Sequence, residues 1–142
     1  MNVEFDPATV TMAENTIHNP ADGRHLMKLK PVPRRVQALF GQQCLAESHS
    51  AIRVLEMGHD LYDPMIYFPK ESVVAHLVIS QAKKTHCPLK GDATYFNLVD
   101  GSDTLLATKI AWSYEQTFEF AKGLNGLIAF EPSLVTIIEA AA

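Results

Sequence analysis

The chain has 142 residues, 47% of them hydrophobic, with Lys plus Arg at 12 against Asp plus Glu at 16 and a formal net charge of −4. That length suits a single domain with a proper buried core, and the acidic balance disfavours non-specific nucleic-acid binding, so no such partner is expected. No apolar run approaches the roughly 20 residues of a membrane span, and the start, Met1-Asn2-Val3-Glu4-Phe5-Asp6, lacks the basic and apolar segments of a signal peptide; a cytoplasmic protein without membrane contact is the expectation.

Residues 1–31 stand apart from the rest. They are rich in Asn, Pro, Asp and His with weak periodicity, and Pro31-Val32-Pro33 closes them with a step that keeps the chain extended. The composition predicts an N-terminal extension, with a short helix around Ala8 to Asn15, ahead of one domain over 32–142.

The remainder reads as strands. Arg35 to Phe40 and Gln43 to Glu47, around Gly41-Gln42, form a tight hairpin. Ala51 to Met57 follows, with Ile52 and Val54 on one side, and Met65 to Phe68 is stopped by Pro69. Pro69 suits a first helical position, so Lys70 to Val74 is read as one helical turn. His76 to Ile79 extends again. Tyr95 to Val99 and Leu105 to Tyr114 flank the turn Asp100-Gly101-Ser102-Asp103. Gln116 to Lys122 is the best short helix, with Gly123 as its stop, and Leu127 to Phe130 and Leu134 to Ile138 complete the chain. Roughly seven to nine short strands with one or two brief helices predict a mainly β domain of two antiparallel sheets.

Alternation decides which side chains share a surface. It places Ile110, Trp112 and Tyr114 on one side and Lys109, Ala111 and Ser113 on the other, giving an aromatic wall that fits either core packing or a ligand pocket. In the strand after Gly91, Ala93, Tyr95, Asn97 and Val99 oppose Asp92, Thr94, Phe96 and Leu98; both sides carry apolar residues, which predicts a central strand.

Reactive types concentrate in Thr85-His86-Cys87-Pro88-Leu89-Lys90-Gly91-Asp92, the candidates for chemistry being His86, Cys87, Lys90 and Asp92. Cys87 precedes a proline and is therefore extended, so His86 and Cys87 project to opposite sides. A base for the thiol must come from elsewhere, with His49, His59 or His76 available, while a nearby Lys90 ammonium would favour the thiolate. Gly91 permits a positive φ, and its exposed N–H groups together with Lys90 could cradle an anion. No P-loop or dinucleotide fingerprint is present. Two cysteines and six histidines without CxxC, HxH or HExxH spacing predict no metal site, and no cofactor is expected. Among the carboxylates Glu56, Asp60, Asp63, Glu71, Asp92 and Glu115, only Asp92 is singled out, by its neighbours.

Four segments resemble the family catalogued as domain of unknown function 427: Tyr67-Phe68-Pro69, the block Thr85-His86-Cys87-Pro88-x-Lys90-Gly91-Asp92-Ala93-x-Tyr95, Ala111-Trp112-Ser113-Tyr114, and Gly126-x-Ile128-Ala129-Phe130. The resemblance runs from about Val36 to Ile138. It implies a tent-like β fold, two sheets meeting at an angle, laid out like zinc-ribbon-like relatives whose paired cysteines this chain lacks. A nucleotidyltransferase label also travels with the family, without catalytic residues to transfer. Members often carry Asp after Pro-x-x in the first segment, where this chain has Glu71-Ser72.

The resulting functional expectation is a pocket for a small molecule or anion, walled by Tyr67, Lys90, Tyr95, Trp112 and Tyr114, with or without catalysis. The alternatives are a non-catalytic ligand- or protein-binding module, and a motif that only shapes a tight corner.

Overall fold

The computed structural model describes residues 13–141, so the helix expected around Ala8 to Asn15 lies largely outside the described residues. Among the described residues there are twelve strands: β1 Ile17–Asn19, β2 Asp22–Pro31, β3 Val36–Phe40, β4 Gln43–Ser48, β5 Ile52–Met57, β6 Met65–Phe68, β7 His76–Ile79, β8 Thr85–Cys87, β9 Gly91–Val99, β10 Leu105–Ser113, β11 Ile128–Phe130 and β12 Thr136–Glu139. Two short 3-10 segments, Lys70–Ser72 and Glu119–Leu124, are the helical elements among the described residues. The domain is mainly β, and no helix among the described residues is long and apolar enough to cross a membrane.

All pairings are antiparallel and fall into two sheets. The large sheet runs β1-β2-β5-β6-β11-β10-β9-β7, with β8 sharing an edge of β9 with β7, and the small sheet runs β12-β3-β4. The sheets meet over a core to which the small sheet gives Val36, Ala38 and Leu45 and the large sheet gives Phe68, Leu98 and Phe130. Phe68 and Phe130 pack edge to face there, centroids 5.7 Å apart, the geometry favoured by opposed ring quadrupoles. On its other face the large sheet carries a second cluster, including Met27, Val54, Tyr67 and Ala129, capped by Leu89, Ala121 and Leu124.

Three expectations change. Residues 17–31, expected as an extension, are a hairpin whose long strand pairs with β5 from Leu26↔Met57 to Pro31↔Ile52. Its inward face, His25, Met27 and Leu29, alternates correctly, but its polar outward face hid the period. The helix expected at Gln116 to Lys122 is a 3-10 segment shifted to Glu119–Leu124, and Gly123 lies inside it. There an added Cβ would stand 2.8 Å from Leu29 Cδ1, the tip of a side chain that can shift aside. Finally, Ile110 does not share a side with Trp112. Lys109 has a φ of 51°, the register slips between Ala107 and Ala111, and this bulge sends Ile110 into the inter-sheet core alongside Ala111.

β9 is interior, as its two apolar faces predict, lying between β10 and β7. Its first residue, Gly91, has a φ of 116° and pairs with both Cys87 and Thr117. An added Cβ would meet Gln116 O at 2.9 Å, so strain and backbone crowding coincide. Gly91→Ala is expected to lose about 1–3 kcal/mol of stability, whereas Gly101→Ala, with nothing within 4 Å of the new Cβ, stays within about 0.5 kcal/mol; urea unfolding of the two variants checks the contrast.

Candidate functional site

The outer face of the large sheet is built by cross-strand registration. Ile52 on β5 pairs with Tyr67 on β6, Tyr67 with Ala129 on β11, Ala129 with Trp112 on β10, and Trp112 with Tyr95 on β9. Residues in such a row point the same way. Ala129 is small, so the indole can reach across it, and Trp112 Nε1 donates a hydrogen bond to the Tyr67 hydroxyl at 3.3 Å. The row borders an open hollow of about 340 Å³ whose walls include Tyr67, Tyr95, Trp112 and Tyr114. Val54, Met65, Tyr62, Asp63 and Glu131 complete the sides, and Glu56 and Lys90 lie on the wall nearest β2 and β8.

Lys90 is only 6% exposed. Its ammonium bonds Glu56 Oε1, stands 5.7 Å from the centroid of Tyr114 and lies 4.0 Å from Cys87 Sγ. The second oxygen of Glu56 meets His25 Nε2 at 2.9 Å, and Asn19 Nδ2 lies 3.4 Å from His25 Nδ1. A carboxylate on one ring nitrogen and an amide donor on the other assign the proton to Nε2. Both ring nitrogens of His25 are thereby engaged.

A second hollow of about 280 Å³ lies beyond this pair, sharing Glu56 and Tyr62 with the first and bordered by His25, His59, His86 and Cys87. The five residues expected to wall a pocket, Tyr67, Lys90, Tyr95, Trp112 and Tyr114, thus line one hollow. His86 does not join them. It pairs with its cross-strand neighbour Asp92 at 2.7 Å, both side chains more than half exposed, and meets Phe118 edge-on. Of the proposed bases for the thiol, His59 borders the second hollow, while His49 and His76 border neither. Glu71 is exposed on its 3-10 turn and borders neither hollow. The backbone at Gly91 has the positive φ expected, but the 116–117 segment covers it, so the turn serves close packing rather than an anion cradle.

Cys44 and Cys87 are both free thiols. A ring nitrogen of His25, a Glu56 oxygen and Cys87 Sγ lie within 4.8 Å of one another, a mixed donor set of the kind borderline divalent ions accept. Glu56, however, already accepts from an ammonium and from an imidazole. A metal bridging His25 and Glu56 would displace the imidazole from Glu56 Oε2, and the positive charge it would bring is already present on Lys90 at Oε1.

Glu56 and His25 are the residues that motif reading passed over. For Glu56 a signal existed: continuing the Ile52, Val54 alternation by one step sets a carboxylate on an apolar face. His25 has the same relation to Met27 and Leu29 on β2.

Two predictions follow from the geometry. Glu56→Leu leaves a buried ammonium without its partner and is expected to lose about 3–5 kcal/mol, while the Glu56→Leu/Lys90→Met pair loses less than that single change; a double-mutant cycle in urea checks it. Burial pushes the Tyr67 and Tyr114 phenols far above their ordinary range; the Glu56 charge adds to both, while the Trp112 hydrogen bond pulls Tyr67 partly back. A raised folded-state value means that their contribution to stability is complete below the unfolded phenol value of about 10 and is lost as pH rises beyond it. Alkaline absorbance titration is expected to leave two of the four tyrosines un-ionised until the chain unfolds.

No curated protein matches the chain. The family model described as Domain of unknown function (DUF427) matches residues 28–141, from within β2 through the end of β12, and the chain belongs to that family.

Proposed function

We propose that this domain binds a small organic molecule in the first hollow. The observation that carries the reading is the row Tyr67–Ala129–Trp112–Tyr95, in which rings from three strands flank a small residue beside open space. Trp112 and Tyr95 are only partly buried, unlike the sealed rings of Phe68 and Phe130 in the inter-sheet core. A volume of about 340 Å³ falls at the lower end of the roughly 300–1,000 Å³ range of small-molecule sites. The Glu56–Lys90 pair and the Tyr67 hydroxyl supply the few fixed polar groups such sites use to orient a ligand.

Nucleotidyl transfer, the activity that the family resemblance brings with it, fits these walls poorly. A nucleotide carries phosphates, and the lysine lining the hollow already neutralises Glu56. A catalytic version of the reading would draw on Cys87, which borders the neighbouring hollow. Binding without reaction needs only the walls described.

The chain has one tryptophan, so its indole N–H is a unique NMR reporter at the centre of the row. Titration with a set of neutral aromatic fragments is expected to shift this resonance, and Ala129→Leu, which pushes apart the Tyr67 and Trp112 rings that meet over this buried residue, is expected to weaken the best fragment by about tenfold or more. The reading fails if no fragment moves the indole signal, or if Ala129→Leu folds and binds unchanged.

A further inference from the structure

Resting on that reading, we propose that the occupant of the aromatic hollow is an organic monocation, an amine or a quaternary ammonium group. The lining carries three carboxylates, Glu56, Asp63 and Glu131, against one ammonium, Lys90. Lys90 and Glu56 cancel each other in a buried pair. Among the described residues, no ion pair involves Asp63 or Glu131. Asp63 is an exposed residue of the lining, and among the described residues the Glu131 carboxylate receives the hydroxyl and amide of Ser133 alone. A second lysine, Lys109, stands at the rim, yet three carboxylates against two ammonium groups still leave the hollow negative.

The rings supply the second half of the argument. An aromatic face attracts a cation through its quadrupole, most strongly where water is partly excluded. Two rings of this hollow already receive cations from the chain itself: Lys90 Nζ over Tyr114 at 5.7 Å and Lys109 Nζ over Tyr95 at 4.9 Å. Lys109 reaches Tyr95 from the β10 bulge, where its φ is 51° and its amide donates to Asn97 Oδ1 at 2.8 Å. Trp112 lies between Tyr67 and Tyr95 in the cross-strand row and has no lysine over it among the described residues. An anion in the same place would face two unpaired carboxylates and find no uncommitted cation in the lining. An amine or quaternary ammonium finds ring faces and carboxylates together.

The test uses isosteres on the full chain: choline, and 3,3-dimethyl-1-butanol, which replaces the trimethylammonium head with a tert-butyl group of similar shape, with acetate as the anionic probe. Binding is followed by the Trp112 indole N–H shift. Choline is expected to bind at least about tenfold tighter than the alcohol, with the advantage shrinking as salt rises. The Asp63→Asn/Glu131→Gln variant is expected to narrow the gap to under about threefold. Equal binding of choline and the alcohol overturns the charge assignment and leaves the small-molecule reading standing. So does a preference for acetate, or a hollow that takes neutral aromatic fragments but neither choline nor the alcohol. If neither these probes nor the fragments move the indole, the binding reading falls and this inference with it.

Discussion

A buried carboxylate–ammonium pair, Glu56 with Lys90, is the contact on which the outer face of this domain is organised. The partners lie 34 residues apart, one on β5 and one in the turn between β8 and β9, so their union ties the reactive block to the opposite side of the sheet. Burying two charges costs more than surface pairing returns unless every donor and acceptor is met. Here the ammonium also faces a phenol ring, and the carboxylate's second oxygen takes an imidazole from β2. The same pair divides the outer face into two hollows, one aromatic and one bordered by the thiol.

This pair explains why charged residues in the reactive block do not behave as their types suggest. An isolated lysine beside a glycine turn invites an anion. Lys90 already has a counter-ion, and Gly91 is crowded by the passing backbone. Cys87 has an ammonium nearby, and the imidazole of His25 close to it is held at both nitrogens. The negative charge that remains belongs to Asp63 and Glu131, two residues outside any motif.

Much of the strand layout was legible because period-two alternation is a local signal. Tyr67, Tyr95 and Trp112 come together because each sits at a position of its own strand that faces away from the inter-sheet core, and antiparallel registration brings those positions into line. What alternation could not foresee was a change of phase within a strand. The bulge at Lys109 moved Ile110 to the other core, and no turn residue marks it. The β1–β2 hairpin escaped for a different reason: it lies at the sheet's edge, where one face is solvated and tolerates Asp22, Arg24 and Lys30, so its composition resembles a loop. His86 went outward by the alternation that carried Cys87 inward, so their adjacency in sequence separates them in space.

The order of strands has one more consequence. β11, the last strand of the large sheet to be synthesised, lies between β6 and β10. Until Ile128–Phe130 exist, the platform is two separate half-sheets, β1-β2-β5-β6 on one side and β10-β9-β7 on the other, and Tyr67 has no Ala129 to place it beside Trp112. Closure therefore depends on contacts distant along the chain, which are slow to form. As the nascent polypeptide leaves the ribosome, Trp112 and Tyr95 can register on β10 and β9 first, and Tyr67 joins them only once β11 is inserted.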